Sequence, residues 1–346
     1  MGRNPAQVRR RYRTGNRELD AQIEELVEGS DARDKDLLLE LITTCFRLVR
    51  HGADRGEMKL VNAALKEFAY AFKVFKEFRG VRKLTIFGSS RSGPEDPNFA
   101  LAERFAATMA KRGWMVITGA GPGIMEAGHR GAGVEQSFGA NIRLPLEAPN
   151  EVIEGDSKLI NFKYFFTRKV TFLKESHAFA LFPGGFGTLD EAFELLTLMQ
   201  TGKSDLHPVV LLEEPGGTYW SSWRAFLRSL ANRGLTDDQD TGLLSFAPDI
   251  DAAVQEIEAF YRNYESERYV DGRLVLRVQR TPAPKELARI GTDFADILGG
   301  KAPEVVGPSP QEELEGDSLE CERIAFDFDR RSYSRLRRLI DRLNEY

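Results

Sequence analysis

The segment "HAFALFPGGFGTLDEAFE", residues 177–194, decides the fold. Its first half is a short apolar run that stops at Pro183; three glycines follow within four residues, and acidic side chains then open an amphipathic stretch. A run that is apolar at every position suits a strand buried on both faces, and a glycine turn feeding a helix carries such a strand back across a parallel sheet. Four other segments have this form: "LTIFGSS" from Leu84, "WMVITGAG" from Trp114, "FGANIRLP" from Phe138 and "PVVLLEE" from Pro208. Helical stretches separate them, near residues 99–111, 123–130, 162–175 and 189–201. The alternation predicts an α/β chain, a Rossmann-like doubly wound parallel sheet covered by helices on both faces. Ligands of such sheets bind beyond the carboxyl ends of the strands, near the point where strand order reverses. The glycines sit at those ends.

Working outward, residues 1–80 predict an N-terminal helical extension. Leu38, Leu41, Ile42, Cys45 and Val49 share one helical face, Leu65, Phe68, Phe72 and Phe75 another, and "HGADRG" separates the two. Packing or a subunit contact explains that aromatic stripe better than a cofactor does. Residues 81–264 predict the Rossmann-like domain, closed by helices in "YWSSWRAFLRSLANRG" and near residues 251–261. Residues 265–346 predict a small C-terminal αβ appendage, with strands at "RLVLRVQR" and "ERIAFDFDR", a linker or long loop near 300–317, and a final helix bearing Leu336, Leu339, Ile340 and Leu343.

The 346 residues are 42% hydrophobic and carry a net charge of -5, which gives no global attraction for nucleic acid or an anionic membrane. Six arginines within the first seventeen residues read as a solvated tail. Cys45 and Cys321 stand far apart without a CxxC partner, so neither a disulfide framework nor a zinc site is expected. With no membrane-length apolar run and no signal-peptide core, a reducing, cytoplasmic setting is expected.

Three glycine-rich turns follow three of the strands: "FGSSR", "TGAGPGIMEAG" and "PGGFGTLDE". Glycine lets backbone approach an anion closely, and the next helix supplies unpaired N–H donors. The second turn has a GxGxG run but lacks the spacing and the distal acid of a dinucleotide site, and no Walker lysine is present, so NAD binding and ordinary ATP hydrolysis are not expected. Thr188-x-x-Glu191 matches a capping box, which alone accounts for that spacing. A chemical role for Glu191 needs a companion; Arg168, in "YFFTRKVTF", can hold a carboxylate or a phosphate, or serve only at the surface. His51, His129, His177 and His207 form no metal motif, and His129 is expected in packing or capping. A pyridoxal phosphate enzyme would need a Schiff-base lysine, for which Lys169 and Lys174 lack a partner set.

At "PGGFGTLDE", "TRK" and "GPGIM" the sequence closely resembles the LONELY GUY family of nucleoside monophosphate phosphoribohydrolases, long labelled lysine decarboxylase-like, and in particular a longer bacterial subgroup. Pro183, Gly184, Gly185, Gly187, Thr188 and Glu191 match every fixed position of its PGGxGTxxE signature. Arg168 and Lys169 match its Arg-Lys pair, Gly119 to Met125 approximate its GGGxxGLM turn, and Gly88 and Ser89 resemble the end of its first strand. Ala120 replaces a glycine, Pro122 alters that loop, and "FTRK" stands where plant members have Met-His-x-Arg-Lys.

The resemblance covers roughly residues 83–264 and implies hydrolysis of a nucleoside 5'-monophosphate, AMP or a modified adenine nucleotide, to free base and ribose 5-phosphate. It implies that Gly184, Gly185, Gly187 and Thr188, with Gly121 and Gly123, hold the phosphate. Glu191 would orient or deprotonate water, Arg168 would position Glu191 and substrate, and Gly88, Ser89, Lys169 and Met125 would complete the substrate site. No cofactor or metal is implied. Self-association as a homodimer or larger homo-oligomer is, with neither nucleic acid nor membrane as a partner. A non-catalytic nucleotide or cofactor carrier of the same fold is the competing reading.

Overall fold

The computed structural model describes residues 13–144 and 148–346, so most of the arginine-rich start lies outside the described residues. Two compact units make up the chain, residues 1–67 and 68–346. In the first, α1 (Arg17–Glu28) is capped by Asn16, whose side chain accepts from the N–H groups of Glu18 and Leu19. Against Ile23 and Val27 of α1 packs Leu39 of α2 (Lys35–Arg50), with Leu38 and Ile42 at the margin. Leu41 and Val49, expected on the buried face, are exposed. The reason is α1 itself, an unexpected helix that meets α2 through Leu39 and turns the buried face that way. The next helix, α3 (Arg55–Phe75), carries the division between units. Its last turns belong to the second unit, where Ala71 and Phe75 are buried and Phe75 stacks on Phe138 at 4.5 Å, while Phe72 is exposed.

The second unit is built on a sheet of seven strands: β1 (Lys83–Phe87), β2 (Met115–Thr118), β3 (Ser137–Ile142), β4 (Leu159–Phe162), β5 (Ala178–Leu181), β6 (Val209–Leu211) and β7 (Ser245–Phe246). All pairings are parallel and the order is β4-β3-β2-β1-β5-β6-β7, the doubly wound arrangement expected. Residues of β1, β2, β3, β5 and β6 are buried throughout, which is why their sequences are predominantly apolar. The two unexpected strands are short edges. β4 pairs Ile160 with Ala140 and Phe162 with Ile142, and α6 (Phe165–Glu175) therefore begins at Phe165 and not at Phe162.

Helices α4 (Pro97–Lys111), α5 (Ile124–Ala132), α7 (Phe186–Gln200), α8 (Tyr219–Ala231) and α9 (Ile250–Phe260) complete this part. Asp96 caps α4 by accepting from the Asn98 N–H, and Pro97 takes the first helical position, where its missing donor costs nothing.

Beyond α9, β8 (Tyr264–Val270), β9 (Arg273–Val278), β10 (Glu304–Val306) and β11 (Glu322–Phe326) form an antiparallel sheet in the order β10-β11-β9-β8, accompanied by α10 (Pro284–Asp293), α11 (Pro310–Glu315) and α12 (Tyr333–Leu343). Leu274, Ile324 and Leu336 of this appendage share one core with Val254 and Phe260 of α9. The segment expected as a linker or long loop near 300–317 carries β10 and α11. It is pinned by the buried Glu312 carboxylate, 2.7 Å from Arg277 and 3.3 Å from Arg323. Two arginines and the Ser309 capping box satisfy a carboxylate that would otherwise be costly to bury. Among the described residues no helix is long and apolar enough to cross a membrane.

Helices α4 and α5 approach through Gly131, where a Cβ would lie 2.0 Å from the Glu103 carbonyl oxygen. Gly131→Ala is expected to destabilise by about 1–2 kcal/mol, because forced separation of backbones, up to about 3 kcal/mol, outweighs the roughly 1 kcal/mol that alanine gains in helix propensity. The denaturation midpoint reads this directly; an unchanged midpoint would mean the helices part without cost.

Candidate active site

Strand order reverses between β1 and β5, and the turns after both strands meet there. The Ser89 N–H donates to the Pro183 carbonyl at 3.1 Å, and the Ile124 N–H donates to the Ser89 carbonyl at 3.0 Å. These two bonds tie together the turns that follow β1, β2 and β5. The turns wall a cleft of about 800 Å³, which Phe165, Arg168, Glu191 and Tyr219 also line.

The glycines of these turns divide into two groups. Gly88 lies against Ile124, Gly119 and Gly121 against Met125, and Gly184 against Thr188, each too close for a Cβ. Gly123 adds a positive φ of 72° and sits on the Ser89 carbonyl. Packing alone accounts for glycine at 88, 123 and 184, whereas at 119 and 121 the neighbour is the movable end of Met125. Gly185 and Gly187 are different: neither has a positive φ, and a Cβ on either would meet nothing within 4 Å. They stand at the start of α7, whose first-turn N–H groups have no partner within the helix and whose dipole favours an anion.

The capping box expected from Thr188 and Glu191 does not form. Gly185, in extended backbone at φ -90° and ψ -155°, is the N-cap and makes no side-chain cap bond; α7 begins at Phe186. The turn is completed sooner than the spacing suggests, so Thr188 lies inside the first helical turn, 5% exposed, with its hydroxyl against Gly184. Glu191 is one turn further on, free of any capping duty.

Glu191 is a desolvated carboxylate. Burial pushes its pKa from 4.5 up to about 7, against the opposing pull of Lys169 and Arg168. Lys169 is the cation close to it: its Nζ lies 3.5 Å from Glu191, 2.9 Å from Asp190 and 2.6 Å from Glu194. Lys169 thus braces the acids of α7 and does not line the cleft, where the resemblance had placed it with the substrate. Arg168, which the resemblance had positioning Glu191, does line the cleft. Its guanidinium lies against Gly119, where a Cβ would come within 3.1 Å, and over the Phe172 ring at 5.3 Å. Its Nε is buried without a hydrogen-bond partner, and burial lowers its pKa against the charge of Glu191.

Of the residues named from sequence, Gly88, Ser89, Gly119, Gly121, Met125, Arg168, Gly184, Gly185, Gly187, Thr188 and Glu191 line this one cleft. Gly123 lies behind them, under Ser89. Sequence reasoning missed Tyr219, whose hydroxyl donates to the Gly184 carbonyl at 2.7 Å from the start of α8. Nothing local marks it, since it reads as one more aromatic of an amphipathic helix. His129 is fully buried beneath the β2 turn, and among the described residues no cluster of His, Cys, Asp and Glu could hold a metal ion.

Comparison with known proteins fits this geometry. Residues 118–257 match the family model described as "Possible lysine decarboxylase". A rice protein, "Probable cytokinin riboside 5'-monophosphate phosphoribohydrolase", is 27% identical over 52% of this chain and 72% of its own length. The Mycobacterium marinum cytokinin riboside 5'-monophosphate phosphoribohydrolase is 29% identical over 45% of this chain and 82% of its own. An Arabidopsis thaliana enzyme of the same name is 30% identical, but this chain spans only 54% of its length. Among solved structures, the molybdenum cofactor carrier protein of Chlamydomonas reinhardtii aligns at 22% identity over 51% of this chain and 96% of that one, with a TM-score of 0.34, too loose a superposition to bear on function. Through the family model and these relatives, with the PGGFGT turn and its glutamate inside the matched residues, the chain is similar to the cytokinin riboside 5'-monophosphate phosphoribohydrolases of the LONELY GUY family.

Proposed function

We propose that the cleft hydrolyses the N-glycosidic bond of a nucleoside 5'-monophosphate, AMP or a modified adenine nucleotide, giving free base and ribose 5-phosphate. The observation that carries this reading is the pairing of Gly185 and Gly187, which the fold does not require, with a desolvated carboxylate one turn away. Phosphate on the open N–H groups of α7 would bring the sugar toward Glu191. Water adds to the anomeric carbon as the bond to the base breaks, and the base leaves with a proton. Positive charge grows on the sugar in the transition state, which an adjacent carboxylate stabilises. In its ionised form Glu191 can also take the proton from water; a pKa near 7 suits that task at neutral pH. Arg168, which lines the cleft, would hold phosphate or sugar oxygens.

Release of free adenine from AMP distinguishes this reaction from simple carriage of a nucleotide. Turnover is expected to rise with pH through about 7 as Glu191 ionises. Glu191→Gln is expected to lower it by roughly 10²–10⁴-fold. A folded Glu191→Gln protein with wild-type turnover would remove the glutamate from the chemistry.

The same residue has a stability signature. A folded-state pKa raised from 4.5 to about 7 favours the native state below pH 4.5, and that contribution is lost as pH climbs through 7. Glu191→Gln should therefore be roughly 1–3 kcal/mol more stable than wild type at pH 8 and indistinguishable from it at pH 4. Equal stabilities at pH 8 would show that the site does not strain its carboxylate.

We further propose that the protein works as a homo-oligomer in a reducing, intracellular setting, where Cys45 and Cys321 stay free. Phe165 and Phe186 line the cleft and are exposed, Phe186 to 96%, and Phe166 and Val170 of the same helix as Phe165 are exposed apolar residues too. A second copy of the chain would cover them. Val170→Glu is expected to lower the native mass in solution by light scattering; an unchanged oligomer would place the contact elsewhere.

A further inference from the structure

The turn after β2 is held in a backbone conformation that its sequence disfavours. Ala120 has φ 62°, a region that side-chain-bearing residues avoid, and it is completely buried. Asn150 fastens it. The Asn150 N–H donates to the Ala120 carbonyl at 2.8 Å, and its side-chain Nδ2 donates to the carbonyls of Ala120 and Gly121, both at 3.0 Å.

A buried network behind Asn150 fixes its orientation. Both amide hydrogens reach the two carbonyls only when Oδ1 faces His129, whose Nδ1 then donates to it at 3.2 Å. His129 Nε2 is left to accept from the Thr118 hydroxyl at 2.9 Å, and the hydroxyl oxygen accepts the Ala120 N–H at 3.0 Å. The Phe138 carbonyl, 3.1 Å from the same nitrogen, offers the other tautomer a partner. That tautomer would take an amide hydrogen from Asn150 and leave its side chain one hydrogen for the two turn carbonyls. Thr118 and His129 are 0% exposed and Asn150 is 7%, so water cannot replace these partners.

The consequence appears on the other side of the turn. In a trans peptide the carbonyl and the following N–H point in opposite directions, so drawing the Ala120 oxygen toward Asn150 turns the Gly121 N–H away from it, toward the cleft that Gly121 lines. Gly119 of the same turn seats the Arg168 guanidinium and Met125. Resting on the nucleotide reading above, we infer that Asn150 is a positioning residue, which with His129 and Thr118 locks residues 119–121 so that the Gly121 N–H and Arg168 face the phosphorylated sugar.

Steady-state kinetics with AMP and calorimetry with ribose 5-phosphate test the inference on the full chain. Asn150→Ala is expected to raise KM about tenfold and weaken ribose 5-phosphate about tenfold, the loss of one net hydrogen bond, with kcat changed less than about threefold. Asn150→Asp, which keeps the shape but replaces the donor with an acceptor, should show the same split and serves if the alanine variant fails to fold. Ala120→Gly, in either background, should restore most of the lost affinity, because glycine adopts this φ without the strain that alanine incurs. A folded variant with unchanged KM and ribose 5-phosphate affinity, or no recovery with Ala120→Gly, would overturn the lock. Wild-type protein that binds ribose 5-phosphate but releases no adenine would overturn the hydrolytic reading alone; wild-type protein that does neither overturns both.

Discussion

Reversal of strand order between β1 and β5 is the constraint on which the site depends. Crossovers leave these two neighbouring strands in opposite directions, so no helix covers the gap beyond their carboxyl ends. Backbone N–H groups at the start of α7 have no partner within the helix, and bonds through Ser89, Pro183 and Ile124 join the turns to one another. A ligand that brings its own acceptors satisfies the remaining donors. That requirement selects an anion before any side chain is considered.

Against that background, the cost of Glu191 is informative. Lys169 and Arg168 both pull its pKa down, yet burial outweighs them and the net shift is upward. If the surroundings served only to stabilise the fold, Lys169 would be better placed in a simple pair than shared among Asp190, Glu191 and Glu194. Sharing it lets Glu191 be held in position without being neutralised. Arg168 shows the complementary feature, a buried cation whose Nε is without a protein partner. Two opposite charges that both lie along one cleft, each incompletely satisfied by the other, describe a site whose electrostatics are completed by what binds there.

The parallel sheet was legible because its central strands are buried on both faces and mostly apolar, and the three turns were legible because glycine clusters directly after the strands. The edge strands were not: exposed Asn161 interrupts the apolar run of β4, and the two residues of β7 set no period. The start of α7 was misjudged because Phe186 and Gly187 have poor helix propensity, while Thr188 and Glu191 have the spacing of a cap; the turn's geometry prevailed over that local preference. Tyr219 and Asn150 were invisible for another reason. Each acts on a turn about thirty residues away in sequence, through a hydrogen bond to a carbonyl that no local pattern announces.

Position 120 shows how a departure from the family pattern can preserve the geometry. The resemblance puts a glycine there, and alanine forgoes glycine's freedom while the backbone still occupies the glycine region at φ 62°. Pro122 narrows the turn further, since it lacks an N–H and restricts Gly121 before it. Between them these two residues leave Gly121 and Gly123 as the donors near the cleft end of the turn, and Gly123 is held against Ser89. Orientation of a single peptide group, that joining Ala120 to Gly121, therefore decides whether the turn presents a donor or a carbonyl to the ligand. A side-chain lock on that peptide replaces the conformational freedom the sequence has given up, which is why the buried histidine and asparagine belong to the site although neither lines it.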